Sequence, residues 1–272
     1  MAAGNLSVEP VRGEGVGVPP RVRFVRAGDV RLMRLASVVV LLGIWELLSL
    51  RTTSLTLPPP LAVLRSAVKL LVGGDFWAAL SISLQSLVIG FLLAAVLGVG
   101  AGTLVGLARR LGPALDVYLT ILLAVPVAGV IPVIVMALGV GLAARVTVVV
   151  FFSVVIIAVN TAAGIRRPNG ALVEMAQSFG APPWRIFLRI VLPGAAPALM
   201  AGLRLGMGRA IVGMVTSELI LLSVGVGKLV ERFSSSFQTA DLIAALLLLV
   251  CLGVLSMSGV QRLERRLLRW YQ

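Results

Sequence analysis

The feature that most constrains this chain is a series of apolar runs, each long enough to cross a lipid bilayer. A helix needs roughly 20 predominantly apolar residues to cross about 30 Å of hydrocarbon. Six such runs occur, bounded by charged or turn residues: 32–50, 80–108, 114–138, 143–165, 195–222 and 241–260. None of them alternates between apolar and polar residues as a barrel strand would. Because open strands leave backbone groups unpaired in lipid, the sequence predicts an all-α membrane protein with about six transmembrane helices.

The composition restricts the chemistry further. Hydrophobic residues make up 59% of the 272 residues, charged residues 13%, and the mean hydropathy is +1.06, whereas soluble domains are only about 45–50% apolar. There are no histidines and a single cysteine, Cys251, which lies within an apolar run. This excludes internal disulfides, Cys/His metal sites and Ser-His or Cys-His nucleophile pairs.

The net charge of +13 comes from basic residues scattered between the apolar runs, not from one basic face. This pattern indicates contact with anionic headgroups of a lipid bilayer, and no nucleic acid partner. Residues 1–30, rich in Gly, Pro, Val and Arg, contain no secretory signal and are predicted to be a flexible tail before a transmembrane domain at 31–272. Pro58 to Pro60, followed by LAVLRSAVKLL, predict a turn and then a short amphipathic helix on the membrane surface.

The basic residues also predict the orientation of the chain. With six spans and a cytoplasmic amino terminus, the cytoplasmic side holds the larger group: Arg21, Arg23, Arg26, Arg31, Arg34, Arg109, Arg110, Arg166, Arg167, Arg185, Arg189, Arg262, Arg265, Arg266 and Arg269. The opposite side holds Arg51, Arg65, Lys69, Arg145, Lys228 and Arg232. Because basic residues concentrate in cytoplasmic loops, both termini are predicted to be cytoplasmic.

A polar segment at residues 170–194, containing EMAQSFGAPPWRIFLRIVLPG, separates the fourth and fifth runs. Gly180 follows a helical pattern at a position typical of a C-cap, and Pro182 and Pro183 are typical of a helix start. Pro193 is predicted to end this second short helix before the next span. Two interpretations remain open: an interfacial loop with snorkelling arginines, or a knob on which a cytoplasmic partner docks.

This segment resembles the EAA loop of permeases from ABC-type importers. The matching positions are Glu174, Ala176, Gly180, Ile190, Leu192 and Pro193, while Met175 departs from the usual second alanine. Further stretches resemble the aliphatic sulfonate, taurine and nitrate branch of these permeases: LPPPLAVLRSAV, the pair Pro126 and Pro132, NTAAGIR, MGRAIVGMVTSEL and ERRLLRW. The resemblance covers roughly residues 55–270.

The resemblance implies a type I ABC importer permease fold in a bacterial inner membrane. It also implies a second permease copy in a homodimer and an extracytoplasmic binding protein that delivers a small anion. A cytoplasmic ABC ATPase dimer is expected to bind the segment at residues 170–194, the coupling loop. The chain itself is expected to bind no cofactor, and ATP is used by the partner. The nearest approach to a phosphate-binding loop, LSVGVGKL, has Leu222 in place of the first glycine and Leu229 after the lysine.

Candidate residues for the translocation path or gate are Pro126, Pro132, Asn160, Arg209 and Glu218. Charges inside spans are costly, so Arg209 and Glu218 touch the route, form structural ion pairs or lie at the membrane interface. For Asn160 and Thr161 a hydrogen bond between helices is favoured over a substrate contact. Ala137 and Leu138 replace an aromatic pair that many members carry near the pathway, which leaves the substrate open.

Glycines recur every fourth residue at Gly98, Gly102 and Gly106, and again at Gly202 and Gly206. Such rows allow helices to touch closely, and packing within the chain is favoured over a dimer seam. The functional alternatives are an ATP-independent channel or facilitator, an intramembrane enzyme, an ABC exporter, and an ABC permease for a heterocyclic vitamin precursor. An enzyme is disfavoured because the acidic residues are few and dispersed.

Overall fold

The computed structural model describes residues 27–52, 56–108, 112–222 and 224–267, and the regular structure within these ranges is helical. The helices are α1 (Ala27–Arg51), α2 (Pro60–Val72), α3 (Gly74–Leu107), α4 (Gly112–Ala124), α5 (Val127–Leu138), α6 (Leu142–Ile165), α7 (Gly170–Ser178), α8 (Pro183–Ile186), α9 (Leu192–Ser217), α10 (Gly225–Ser235) and α11 (Thr239–Leu267). Two π-helical stretches, Phe187–Val191 and Glu218–Leu222, flank α9.

The chain divides into two compact units, Met1–Trp45 and Glu46–Gln272. Of the predicted tail, residues 1–26 lie outside the described residues. In the first unit, the described residues belong to α1, within which the first predicted span falls. The remaining features all lie in the second unit.

Four helices of the described chain are long and apolar enough to cross a membrane: Gly74–Leu107, Leu142–Ile165, Pro183–Ile220 and Thr239–Arg266. They contain most of the second, fourth, fifth and sixth predicted spans. Many of their large apolar side chains are exposed, among them Leu92, Val96 and Val254. Such a surface is favourable only against lipid or another apolar protein face.

The third predicted span is not one straight helix. Ala114–Ala124 and Val127–Leu138 meet at an angle of 86°, so the helical span predicted over 114–138 is broken near its middle. The break lies at Pro126, which has no amide hydrogen and disfavours helical geometry in the residue before it. Pro132 lies inside α5 and likewise leaves the Ala128 carbonyl without its helical donor. The predicted separation from the fourth span is confirmed, because Gly139 caps α5 with a φ of 74°.

Helix α3 begins earlier than predicted. Its first residue is Gly74, whereas the apolar run suggested a start at Leu80. The predicted helix before it is confirmed as α2, with Pro59 at its N-cap and Pro60 as its first residue. Only Gly73 separates α2 from α3.

Helix α6 packs between α3 and α9. A Cβ on Gly102 of α3 would lie 2.5 Å from the Ala158 carbonyl oxygen of α6, and one on Gly206 of α9 would lie 2.6 Å from the Ile157 side chain. These helices approach so closely that only glycine fits at the contact. The predicted use of the glycine rows for packing within the chain is therefore confirmed at these positions.

Candidate functional site

The segment between α6 and α9 forms the two short helices that the sequence predicts. Helix α7 begins at an Asn169 N-cap, whose side chain accepts a hydrogen bond from the Leu172 amide at 3.4 Å. It ends at Ser178 with Phe179 as its C-cap, and the next residue, Gly180, has a φ of 72°. The Gly180 amide donates to the Gln177 carbonyl at 2.9 Å and the Ala181 amide to the Ala176 carbonyl at 3.0 Å. This pair of bonds is a Schellman motif, so the predicted glycine C-cap is confirmed.

The second short helix does not end at Pro193. Helix α8 starts at Pro183 and passes through the π-helical stretch Phe187–Val191 directly into α9. The Leu192 amide donates to the Phe187 carbonyl, five residues back. This wider turn accommodates Pro193, whose ring would collide with a carbonyl in regular α-helical geometry. The prediction that Pro193 separates the two helices was wrong because the chain widens locally instead of breaking.

We call residues 170–186 the knob. No residue of α7 is buried. Glu174 is exposed, and its carboxylate makes no hydrogen bond or ion pair with any residue the structure describes. Phe179 is 84% exposed and Trp184 61% exposed, and the Arg185 guanidinium lies 5.4 Å from the Trp184 ring centroid. Of the other predicted loop positions, Ala176, Ile190, Leu192 and Pro193 are half-buried.

Glu218 lies at the far end of the same continuous helix and is fully buried. Its Oε2 accepts hydrogen bonds from the Ser83 hydroxyl at 2.8 Å and from the Gly227 amide at 3.0 Å. Ser83 Oγ in turn accepts a bond from the Val226 amide at 3.0 Å. The carboxylate therefore connects α3 and the start of α10 to the end of α9. The free amides at the start of α10 favour a negative charge at this position. We call Glu218, Ser83 and residues 225–227 the Glu218 cluster.

The glycines of the Glu218 cluster are required by its close packing. A Cβ on Gly227 would lie 2.5 Å from Glu218 Cβ and 2.7 Å from its carbonyl carbon. Gly225 has a φ of 64°, and its Cβ would lie 2.6 Å from Glu218 Oε1. The GVG sequence that superficially resembles a phosphate-binding loop thus packs against a carboxylate.

Arg145, near the start of α6, lies close enough to Glu218 for its positive charge to attract the carboxylate. Its Nη1 donates to the Ile82 carbonyl at 3.3 Å. Arg145 Nε and Glu218 Oε1 are both buried without a hydrogen-bond partner in the described chain. Attraction to a nearby opposite charge lowers the cost of burying each group.

A separate cavity of about 330 Å³ lies where α4 bends into α5. It is lined by Val125, Pro126, Val127 and Ala128 at the bend, by Phe151, Phe152, Val155 and Ile156 of α6, and by Arg209, Val212 and Thr216 of α9, together with Leu122 and Leu123. Arg209 is the charged residue among these lining residues. We call this space the Arg209 cavity.

Pro126 and Arg209 thus lie together, whereas the other predicted path residues lie elsewhere. Pro132 is exposed on α5, outside the lining of the Arg209 cavity. Asn160 is half-buried, and its amide nitrogen donates to the Ile156 carbonyl of its own helix at 2.8 Å, not across to another helix. The Thr161 hydroxyl is buried with no partner in the described chain. Glu218 does not line this cavity.

Sequence reasoning missed Ser83, Gly225 and Gly227 as partners of Glu218. Ser83 lies 135 residues before Glu218 in the chain, and a serine in an apolar run is ordinary. The GVG sequence did give a signal, because paired glycines at a helix start often mark a close approach of backbone to another group.

The chain matches a known transporter family. The sequence pattern described as "Binding-protein-dependent transport system inner membrane component" matches residues 94–269. The chain belongs to this family: it is a multi-pass inner membrane permease subunit of an ABC importer, and a separate subunit hydrolyses ATP. The family resemblance and the importer permease fold are confirmed.

Individual relatives agree with this assignment. The chain is 31% identical over 274 residues to a Bacillus subtilis protein named as an aliphatic sulfonates transport permease protein, SsuC, covering 99% of this chain and 96% of that one. It is 27% identical to the formylaminopyrimidine transport permease protein ThiX of Halalkalibacterium halodurans, covering 85% of this chain and 93% of that one. A chain of the MetNI methionine ABC transporter in an inward-facing conformation shares the fold, with a TM-score of 0.58, 20% identity and coverage of 71% and 94%.

Proposed function

We propose that the chain forms the membrane route for a small organic anion of the sulfonate type, as one half of a homodimer. In this proposal two cytoplasmic ATPases dock on the two knobs, and an extracytoplasmic binding protein delivers the solute to the opposite face. Both termini lie on the ATPase side, as the distribution of basic residues predicts. The permease binds no cofactor, and ATP is used by the partner.

The observation that carries the ATPase contact is the exposed surface of the knob. Its apolar side chains, Phe179 and Trp184, are exposed, and Glu174 has no partner in the described chain. An exposed apolar patch beside an unpaired charge is typical of a surface that another protein covers. Because α8 continues into α9, force applied to the knob reaches a membrane-spanning helix directly.

Substitutions in the knob test this contact. We expect Gly180→Asp to distort the Schellman turn, since its φ of 72° disfavours a side chain, and Glu174→Arg to reverse the charge presented to the ATPase. Both variants should insert in the membrane but lose most ATPase co-purification and solute-stimulated ATP hydrolysis. The control is Gly194→Ala, a glycine with open space around it. Wild-type stimulation in both knob variants would refute the assignment.

An anion as the transported solute is supported by the relative SsuC and by the cationic Arg209 in the cavity at the bend. The test is ATP hydrolysis by the complete transporter with its ATPase and binding protein, stimulated in turn by ethanesulfonate, taurine and nitrate. Stimulation by ethanesulfonate or taurine supports the proposal, whereas stimulation by nitrate alone would contradict a sulfonate-type solute.

A heterocyclic vitamin precursor is the second candidate, because the chain is similar to ThiX over most of its length. Stimulation of ATP hydrolysis by formylaminopyrimidine, with none by the sulfonates, would favour this candidate over the first.

A further inference from the structure

Arg209 differs from Arg204 and Arg166 because its guanidinium, although exposed, has no hydrogen-bond or ion-pair partner in the described chain. By contrast, Arg204 pairs with Glu264 at 3.2 Å, and Arg166 pairs with Asp116 and the Val105 carbonyl. An arginine without such partners inside a spanning helix is costly, and its charge requires an anion or water.

Arg209 is also too far along its helix from either end for its side chain to reach that end. Along the spanning helix Pro183–Ile220 it is about 16 Å from Ile220 and farther from Pro183, at about 1.5 Å per residue. An arginine side chain cannot snorkel over that distance. Its charge is therefore directed into the space beside the helix, which is the Arg209 cavity.

The cavity suits a small molecule with one anionic end. Its volume of about 330 Å³ falls in the range of ligand pockets. Its walls are apolar apart from Arg209 and Thr216, and the Thr216 hydroxyl already donates to the Val212 carbonyl at 2.7 Å. Val127 and Ala128 also line it, and they are the first residues of α5, where amides lack intrahelical partners. These amides add positive partial charge to the part of the wall formed by the bend.

A second cavity shows what distinguishes this one. It measures about 410 Å³ and is lined by Lys69 and Arg232 but also by Asp75 and Asp241. Charges of both signs neutralise each other there. In the Arg209 cavity, the lining residues carry charge of one sign.

We propose that the Arg209 cavity is a binding site within the translocation route, in which the Arg209 guanidinium binds the oxyanion headgroup of the transported solute and the apolar wall contacts its carbon chain. This inference rests on the proposed function for the identity of the solute. A planar guanidinium binds sulfonate, carboxylate or phosphate oxygens in pairs. The site therefore selects organic oxyanions over neutral heterocycles.

Charge-selective labelling tests the site without requiring transport. In the complete transporter in phosphatidylcholine vesicles, Cys251→Ser removes the exposed native thiol, and Val212→Cys places a thiol one helical turn from Arg209. Modification by the anionic sulfonatoethyl methanethiosulfonate is compared with modification by the cationic trimethylammonium reagent. We expect Arg209→Gln to lower the anionic-to-cationic rate ratio by about tenfold, because a cation within a few ångströms enriches anions.

Matched variants and added anions sharpen this test. Arg204→Gln removes the same charge from the same helix and should leave the ratio unchanged, and Arg209→Lys should preserve most of it. Ethanesulfonate should slow labelling by both reagents when Arg209 is present. A ratio that Arg209→Gln does not change would overturn the site, because the guanidinium would then already be neutralised, for example by the partner copy.

The source of the anion is tested with lipids. Vesicles containing phosphatidylglycerol supply a phosphate headgroup without free solute. If phosphatidylglycerol slows labelling as ethanesulfonate does in phosphatidylcholine, the occupant is a lipid headgroup and the route assignment is wrong. If only the free sulfonate protects, the assignment is supported.

Uptake measurements separate failure of the site from failure of the proposed function. If the wild-type transporter accumulates ethanesulfonate, Arg209→Gln should raise KM or lower kcat by about tenfold or more, with Arg204→Gln close to wild type. Unchanged kinetics in Arg209→Gln would overturn the site while the proposed function stands. If the wild type accumulates no sulfonate but Arg209 still controls labelling, the proposed solute is wrong and the anion site stands.

Discussion

Two charges on one continuous helix meet opposite environments. Glu218 is 0% exposed and held by Ser83 and Gly227, whereas Arg209 is exposed to a cavity with no partner in the described chain. Burial with donors on two other helices indicates a packing role, and an unsatisfied charge beside a cavity indicates a ligand. Whether an intramembrane charge is a functional candidate therefore depends on the residues and the space around it.

Removing each charge in turn gives the largest expected contrast. We expect Glu218→Ala to destabilise the folded protein by about 3 kcal/mol or more, because it leaves buried donors and the nearby Arg145 uncompensated. Arg209→Ala should change stability by less than about 0.5 kcal/mol, because it removes no hydrogen bond or ion pair within the described chain. Thermal unfolding in detergent measures both. Equal losses in the two variants would break the comparison.

The close packing of the Glu218 cluster predicts a smaller but still large effect for Gly227→Val. The new Cβ would lie 2.7 Å from the Glu218 carbonyl carbon, and backbone cannot rotate away as a side chain can. We expect a loss of about 2–3 kcal/mol. Gly100→Val on α3 is the control, since nothing lies within 4 Å of its Cβ position. Unfolding temperatures that fall equally for both variants would show that valine in a helix, not the Glu218 contact, is responsible.

Ser83 bridges Glu218 and α10, so its hydroxyl should contribute about 1.5–2 kcal/mol, in the lower part of the range for hydrogen bonds to a charged group. Ser83→Ala removes the donor to Glu218 and the acceptor for the Val226 amide. Ser86→Ala is the matched control, because Ser86 is also buried but donates only to the Ser83 carbonyl of its own helix. Proteolysis of α10 would report local release. If Ser86→Ala releases α10 equally, the bridge is not specific.

The smallest effect is expected for the half-exposed pair between Arg204 and Glu264. Arg204→Gln should cost less than about 1 kcal/mol, because solvent and salt screen partly exposed ion pairs. Its effect should shrink further at high salt, as denaturant unfolding at two ionic strengths will measure. A salt-insensitive loss of several kcal/mol would place Arg204 with Glu218 among the buried charges.

The helices were predictable because long apolar runs have few other folds in lipid. The Gly180 C-cap was also predictable, since a glycine between a helical pattern and Pro182 has a local cause. The bend at Pro126 and the continuity through Pro193 were not. Both residues are prolines in apolar helices, and whether the chain breaks or widens into a π turn depends on the packing of neighbouring helices.

The site was predictable only in part. Arg209 and Glu218 are visible in the sequence as charges within a span, yet their difference depends on contacts with distant parts of the chain. Ser83 reaches Glu218 across 135 residues, and the apolar walls of the Arg209 cavity come from α4, α5 and α6. No local pattern encodes such contacts between distant residues, so the sequence left both charges with the same set of interpretations.

The continuity of α8, the π-helical stretch and α9 has a mechanical consequence. Pro183–Ile220 is one unbroken helix of 38 residues, and at about 1.5 Å per residue it is about 57 Å long. Each degree of rotation about the Glu218 end displaces the end beside the knob by about 1 Å. The Glu218 cluster then acts as a pivot: a rotation of a few degrees moves the knob end by several ångströms, whereas Arg209, about nine residues from Glu218, moves by only about 1 Å.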